Sequence, residues 1–595
     1  MTIDTGLSTR SGIALPKGSG MGGGIVSGVF EQAESMRPTI YGERWAIVGG
    51  HPLVSEVGAE ILRRGGNAID AGVAAGFASN VVQVEMCNLG GIAPILVREA
   101  GSPEVQAIAG IGTWGASADL ATIRDAYDGA LPLGGVPSIV PGAVSGWLTA
   151  LSRFGTMELP DVIGAAVELA RDGFLLDPRT ASHLARMGAG FSRWESSTAV
   201  YQPDGAPLEA GDRLVQPALA TTLQRLSDAA SDARAAGASR EDAIEAAHAL
   251  FYRGDIAETI AAFVAERGGY LTTDDLAGFR ADVTPAPSVR FGDWDVHVTP
   301  TWSQGLVIAQ ALGVLERRGI RGIADGSVEY AHEVVEALKL AFSERERAYG
   351  DPRYTTETAD ELLADEHLAA LAAMVGERAL PNLPTVAQAG PKLPSTTAIV
   401  VVDAAGGAFS SSPSDTIDGA PVIPELGIIC SPRGVQSRLV EGHPNALRAG
   451  GRPCVTPAAV IALGAGPGAG ADDIWAAACP GGDVIVQAIV QAMLQHDVYG
   501  KSPQAAVEAP RLFGSSYPGG FHPHPVGESL VFVEAGFGEE VAAGLQERGH
   551  EIIDWPANEF DAGSVQTIVS TSTPTGSRVL AAGADSRRTA YAQAR

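Results

Sequence analysis

The spacing of apolar positions along the chain changes repeatedly, and each change predicts an element. WAIVGG, from Trp45, is a short continuous apolar run that reads as a buried strand. Val54, Val57 and Ile61 then recur at helical spacing, and Gly65-Gly66 ends that helix. Asn67 is suited to cap a second helix that carries Asp70 in its first turn. This helix, AIDAGVAAGFASNVV, is lined with Ala and Gly, so it can approach a sheet or another helix closely. A polar loop through Cys87-Asn88 and Gly90-Gly91 leads into a strand, APILVRE. Residues 155–265 alternate helical stretches with loops, 286–300 read as a strand pair, and 327–350 as one helix. Residues 352–392 predict helix, then an exposed polar segment with prolines.

At Thr396 the pattern changes character. TTAIVVVD is a β-branched run with few polar interruptions, which predicts a strand buried on both faces. Ala404 to Gly407 supplies a turn, and AFSSS returns as a hairpin partner. Val484 to Val498 has helical spacing, and Ser502-Pro503 opens another helix. SVQTIVS and RVLAAGAD add strands near the end. This mixed order predicts stacked sheets with helices outside. Residues 1–40, rich in Gly and Ser, are expected to form a flexible leader. Gly18, Gly20 and Gly23 within it match G-x-G-x-x-G, but no strand precedes them, so a dinucleotide site is discounted.

Composition narrows the function classes. The 595 residues carry 41 Lys and Arg against 69 Asp and Glu, a formal charge of −28. Such a surface repels nucleic acid and anionic membranes, so neither is an expected partner; solubility in a crowded cytoplasm is the simpler account of the acidity. Cys87, Cys430, Cys454 and Cys479 show no CxxC spacing, which speaks against a disulfide framework or structural zinc. No secretory signal and no run of about 20 apolar residues is visible, and the chain reads as cytoplasmic.

Three stretches carry candidate chemistry. A threonine hydroxyl is a poor nucleophile at neutral pH, unless the residue is N-terminal and its own α-amine, with a reference pKa of about 7.7–8.0, serves as base. Thr396 at the head of a rigid buried strand suits an N→O acyl shift that would expose such an amine, although strand propensity alone also accounts for a threonine there. Cys479-Pro480-Gly481-Gly482-Asp483 precedes a helix, and glycines at a helix N-terminus can hold an oxyanion or simply make a tight entry. The stretch from Ser410 to Thr416 can return hydroxyls to the neighbourhood of Thr396, or form a solvated loop. Metal options are poor: His332 and Glu336 belong to H-E-x-x-E with no second His, and His522 and His524 read as a surface turn. There is no G-x-S-x-G elbow and no P-loop.

From about Trp45 to the C-terminus the chain resembles the γ-glutamyltranspeptidase family. The resemblance rests on HPLVSEVGAEILRRGGNAIDAGVAA, FYRGDIAETIAAFVAERGGYLTTDDLAGF, TTAIVVVDAAGG, CPGGDVIVQAIVQAMLQ and GADSRRTAYA, among other stretches. It implies an α+β fold, the four-layer αββα sandwich of N-terminal-nucleophile hydrolases. It also implies autocleavage between Ser395 and Thr396 into a large subunit, 41–395, and a small one, 396–595, that stay associated, with or without pairing into a dimer of heterodimers. Thr396 would be the nucleophile, Gly481 and Gly482 the oxyanion-hole glycines, and Ser414 stands where the family has a second threonine bonded to the nucleophile. No cofactor is implied.

The departures bear on substrate. IAGIGTWGA lacks the arginine that grips a γ-glutamyl α-carboxylate, GIICSPRGVQSR lacks the asparagine pair and following acidic residues, and RPCVTP lacks the serine pair. Cys430-Ser431, Gly434-Val435, Cys454 and Thr456 occupy those stretches instead. A pocket stripped of complementary charges binds a glutamyl zwitterion poorly. The expected activity is therefore hydrolysis of a small-molecule amide whose acyl group is not γ-glutamyl, as in oxamate amidohydrolase or cephalosporin acylases of the same family. The candidate substrate contacts are Thr416, Arg452, Cys454 and Thr456, while Arg433 reads as a surface charge. The competing readings are a genuine γ-glutamyl hydrolase or transferase, and an uncleaved binding protein.

Overall fold

The structure is a computed structural model that describes residues 35–381, 396–415, 417–467, 470, 472–527, 529–573 and 577–595. Most of the expected leader, the Gly18–Gly23 motif, Ser395 and Thr416 lie outside the described residues.

Two seven-stranded sheets form the centre of the molecule. From the first half of the chain come β1 (Ile40–Gly42), β2 (Trp45–Gly49), β3 (Ala93–Arg98), β4 (Gln106–Gly110), β5 (Val283–Pro285), β6 (Ser288–Phe291) and β7 (Trp294–Val298). After Thr396 follow β8 (Ile399–Asp403), β9 (Ala408–Ser411), β10 (Ala459–Gly464), β11 (Ile474–Ala478), β12 (Gln566–Ser572), β13 (Arg578–Ala584) and β14 (Tyr591–Ala594). One sheet runs β14-β2-β8-β9-β3-β4-β5, the other β1-β13-β12-β11-β10-β7-β6. Each sheet thus mixes strands from both sides of Thr396.

Burial follows the two-residue period of the strands. Along β8, Ile399 and Val401 join a cluster with Val73, Phe77 and Trp147 of the helices Ala68–Val82 and Ala143–Phe154. Val400 and Val402 point the other way, into a cluster with Ile461, Ala476, Ile568 and Leu580 of the second sheet. The outer face of that sheet, with Val296, Val460 and Trp475, packs on Leu312, Leu338 and Ile489 of the helices Gly305–Arg317, Val328–Ala348 and Val484–Met493. The result is the expected helix–sheet–sheet–helix sandwich, and β8 is a central strand buried on both faces.

The Ala- and Gly-rich helix, Ala68–Val82, is buried on every side. A Cβ at Gly72 would lie 2.3 Å from the Phe409 ring, so the hairpin partner of β8 fixes why that position is bare. The hairpin turn reaches the same helix. Asp403 accepts from the Gly407 N–H at 2.9 Å within the turn and from the Ala68 N–H, also at 2.9 Å, at the helix start.

The serine-rich return strand is not solvated. Ser410 and Ser412 donate across to the second sheet, to the carbonyls of Ala477 (2.8 Å) and Ala458 (2.7 Å), while Ser411 donates to the Pro94 carbonyl at 2.9 Å. The buried hydroxyls thereby find carbonyl acceptors in both sheets.

Candidate active site

Thr396 extends the β8–β9 hairpin by one bridge, pairing antiparallel with Ser414 beyond the end of β9. The Thr397 N–H donates to the Pro413 carbonyl at 2.9 Å, and the Gly50 N–H, just past β2, donates to the Ala398 carbonyl at 3.0 Å. Backbone on both sides therefore holds the strand head, and the Thr396 side chain is only 1% exposed. Its Oγ1 lies 2.8 Å from the Ser414 Oγ. Thr397 donates to Gln83 Oε1 at 2.7 Å, and Gln83 Nε2 donates to the Gly50 carbonyl at 3.2 Å. A Cβ on Gly50 would sit 2.0 Å from Thr397 Oγ1, so only glycine fits against the strand head.

Arg433 is not a surface charge. It is 2% exposed, on the 3-10 turn Arg433–Gln436, and its guanidinium converges on the neighbours of Thr396. Nη2 donates to the Ser414 Oγ, Nε to Asp415 Oδ1 at 2.6 Å, and Nη1 to Gln436 Oε1 at 3.2 Å. Burial raises the Asp415 carboxyl above its ordinary pKa, and the adjacent guanidinium opposes that rise. Because a guanidinium only donates, Ser414 accepts from Arg433 and can itself donate to the oxygen at Thr396.

The network runs on: Gln436 Nε2 donates to Thr456 Oγ1 at 3.2 Å. Thr456 and Cys454 line a small second cavity with Arg345, Glu346 and Arg438. Burial pushes the Cys454 thiol up to about 12, so at neutral pH it is a protonated thiol. Arg452 is directed elsewhere. Its Nε donates to the Ile111 carbonyl and its Nη2 to Asp282, both at 2.9 Å, while its backbone N–H donates to Asp351 at 2.9 Å.

Gly481 and Gly482 form the loop between β11 and the helix Val484–Met493, with φ of 135° and 67°. Two successive positive φ values require glycine. Gln304 Nε2 donates to the Gly482 carbonyl at 3.0 Å, and Arg345 ties Gln304 (3.0 Å) to Asp483 (2.7 Å). The loop is thereby clamped from the helix Val328–Ala348. The glycines open onto a cavity of about 980 Å3, mouth included, walled by Phe513, Phe532 and Trp555.

A separate cavity of about 350 Å3, mouth included, is lined by Thr396 itself, with Gln83, Glu85, His183, Gln566 and Arg588. Arg588 lines both cavities. Burial pushes the Glu85 carboxyl up to about 8 and pulls His183 down to about 3, so both are neutral at pH 7.

The structure thus brings Thr396 and Ser414 into contact, joins Thr456 to them through Arg433 and Gln436, places Cys454 beside Thr456 in the second cavity, and sets Gly481 and Gly482 directly after Pro480, which lines the Thr396 cavity. Arg452 stays outside this group. Gln83, Glu85, Arg433 and Arg588 carry no periodic signature in the sequence. The signals available were for Arg433, which stands in GIICSPRGVQSR, a stretch where the resemblance departs from its expected pattern, and for Arg588, which stands in the matching stretch GADSRRTAYA. His524 is also buried, against Arg438 and the Gly519 carbonyl, rather than in a surface turn. His332 bonds His550 at 3.0 Å, and no group of His, Cys, Asp and Glu among the described residues is arranged to hold a metal. No helix among the described residues is long and apolar enough to cross a membrane.

A model of the gamma-glutamyltranspeptidase family matches residues 54–594. The chain is 30% identical over 531 residues to the acylase ACY 1 proenzyme of Pseudomonas sp. (strain SE83), covering 87% of this chain and 88% of that one. It is 29% identical over 528 residues to the glutathione hydrolase-like YwrD proenzyme of Bacillus subtilis (strain 168), covering 87% and 92%. Among solved structures, the cephalosporin acylase from Bacillus halodurans superposes with a TM-score of 0.80 at 26% identity, over 94% of this chain and 97% of that one.

Proposed function

The chain belongs to the gamma-glutamyltranspeptidase family, and from that premise we propose that it is an amidohydrolase whose nucleophile is Thr396, exposed when the chain cuts itself after Ser395. The observation that carries this reading is the buried Thr396 hydroxyl at the head of the central strand, 2.8 Å from a Ser414 hydroxyl that Arg433 polarises.

In the first reaction Thr396 Oγ1 attacks the carbonyl carbon of residue 395, the C–N bond breaks, and water hydrolyses the resulting ester. The freed α-amine then acts as general base. In turnover it takes the Oγ1 proton as the oxygen attacks the substrate amide. The N–H groups of Gly481 and Gly482 hold the oxyanion, and the base returns the proton to the leaving amine. Water, deprotonated by the same amine, releases the acid. Ser414 orients Oγ1 and donates to it as charge develops. Residues 396–595 and the preceding segment remain one folded unit, because each sheet takes strands from both. We read the site of action as the cytoplasm.

The acyl group is read as other than γ-glutamyl. Cys454 and Thr456 add no charge to the second cavity, whose Arg345 and Arg438 already pair with Glu346, and Arg452 is engaged by Asp282. A second reading, γ-glutamyl hydrolysis, is favoured by the likeness to a glutathione hydrolase-like protein. Intact mass of the purified protein tests the shared premise: fragments meeting at Thr396 in wild type and one uncut chain for Thr396→Ala are expected. A wild-type chain that stays whole refutes it. Aniline release from γ-glutamyl anilide separates the two readings, and robust turnover would favour the second.

A further inference from the structure

The cavity onto which Gly481 and Gly482 open is walled by a small sheet outside the two central ones. Its three strands, Leu512–Gly514, Leu530–Glu534 and Glu551–Trp555, each bring one aromatic ring to it. Phe513 and Phe532 are direct cross-strand partners with ring centres 5.5 Å apart. Trp555 lies 4.9 Å from Phe532 and 5.8 Å from Phe513, its plane within 3° of the Phe513 ring. Phe532 and Trp555 are only half-buried, so ring surface stays turned to the cavity. Phe521 and Val484 add to the apolar lining. Ring faces around a concave space are the usual lining of a small-molecule site.

This cavity is tied to the Thr396 site in three ways. Gly481 follows Pro480, which lines the Thr396 cavity, and Arg588 lines both spaces. The Phe521 ring lies 5.1 Å from the Arg433 guanidinium, which donates to Ser414. The two spaces differ in size. The Thr396 cavity has room for little more than a water molecule, whereas the glycine cavity reaches about 980 Å3, mouth included. An acyl group esterified to Thr396 is therefore short, and the bulk of a substrate lies over the glycines. Free charge is scarce there. The buried Asp483 carboxylate is taken by Arg345 at 2.7 Å and by the Gly520 N–H at 2.8 Å, and Asp561 is exposed. The Arg588 guanidinium in the wall repels an ammonium group.

We infer that the glycine cavity is the amine subsite and takes a neutral, flat aromatic amine, held against Trp555, Phe532 and Phe513. This rests on the proposed role of Thr396 and narrows it: the substrates are N-aryl amides of short acyl groups. Aromatic amines are weak bases and stay uncharged near neutral pH beside Arg588, whereas an alkylamine becomes an ammonium. In the acylation step Oγ1 bonds the carbonyl carbon and the C–N bond breaks. The Thr396 amine, having taken the Oγ1 proton, returns it to the departing nitrogen, so the product enters the cavity as the free arylamine. Offset and edge contacts between rings add to the area they bury.

The test uses the full-length protein, and its first part needs no turnover. 6-Aminoquinoline, a fluorescent bicyclic arylamine, is titrated against the wild type beside aniline and cyclohexylamine. It is expected to bind about tenfold more tightly than aniline, with cyclohexylamine weaker still. Trp555→Ala and Phe532→Ala are each expected to weaken it by about tenfold. Trp555→Phe keeps a ring, so a smaller loss there separates lost stacking from a lost fold. The second part compares two isomers, 6-acetamidoquinoline, with the rings on the amine, and N-methylquinoline-6-carboxamide, with the rings on the acyl group. The first is expected to be preferred in kcat/KM, and Trp555→Ala to shrink that preference. The preference is a ratio internal to each preparation, so a smaller folded fraction cancels. No binding of 6-aminoquinoline, equal affinity for cyclohexylamine, or affinity unchanged in Trp555→Ala each overturns the subsite. So does preference for the carboxamide, a preference unchanged in Trp555→Ala, or no turnover of either isomer. An uncut wild-type chain, or amide hydrolysis that survives Thr396→Ala, would instead remove the reading beneath it.

Discussion

Arg433 donates to the Ser414 hydroxyl, and that hydroxyl lies 2.8 Å from the Thr396 Oγ1. One guanidinium thus serves two purposes, because its Nε also neutralises the buried Asp415 at 2.6 Å. Removing it should damage folding and chemistry separately. Arg433→Met leaves Asp415 buried without a partner, which costs on the order of 3–5 kcal/mol and lowers Tm. Adding Asp415→Asn removes the stranded charge and should restore much of the Tm while turnover stays low. A double variant that regains both Tm and kcat would mean that Arg433 acts on the nucleophile only through the fold.

Ser414 gives a cleaner readout, because its exchange for alanine deletes a hydroxyl and little else. Ser414→Ala should slow the appearance of the 396–595 fragment and lower kcat, each by about 10- to 100-fold, the value of one hydrogen bond to a developing charge. Ser414→Thr keeps the hydroxyl and adds a methyl group to a fully buried position, so processing should persist with a modest loss of stability. Mass spectrometry against time after synthesis measures both rates. Wild-type processing in Ser414→Ala would remove Ser414 from the chemistry.

Much of this architecture was legible in the chain. Alternating faces cannot be read in the AIVVV run of 398–402 because all five are apolar, and that uniformity is itself the mark of a strand between two packed layers. Asn67 and the Gly-rich helix were readable because caps and small residues act locally. Arg433 was misread because its surroundings come from segments distant in sequence: Ser414 and Asp415, which close the hairpin, and Phe521, whose ring lies 5.1 Å away. Glu85 and Arg588 were likewise invisible as a pair, lying 588 − 85 = 503 positions apart and meeting only where the first helical layer faces the C-terminal turn. Charge in a sequence signals exposure by default, and only tertiary enclosure reverses it.

Gln83 is a further residue that only the fold exposes. Its amide links the Thr397 hydroxyl at 2.7 Å to the Gly50 carbonyl at 3.2 Å, so it holds the residue after Thr396 against the end of β2. Gln83→Ala should therefore act on position rather than chemistry, lowering kcat by about tenfold with little change in KM. Gln83→Glu keeps the acceptor for Thr397 and loses the donor to Gly50, and should fall between. A Gln83→Ala enzyme with altered KM and normal kcat would place Gln83 in substrate contact instead.

Glu85 makes stability depend on pH in an unusual direction. Burial raises its carboxyl from the ordinary 4.5 to about 8, with Asp177 adding to the rise and Arg588 opposing it. Between those two values the folded chain keeps a proton that the unfolded chain has released. Its contribution is fully present below pH 4.5, is lost progressively as pH rises, and levels off above about 8 where both states are ionised. The slope is at most about 1.4 kcal/mol per pH unit. Glu85→Gln cannot titrate, so its Tm relative to wild type should climb steadily from about pH 5 to about pH 8. Two Tm curves that run parallel across that window would mean the Glu85 carboxyl is ionised in the folded protein, and that Arg588 already has its counter-ion.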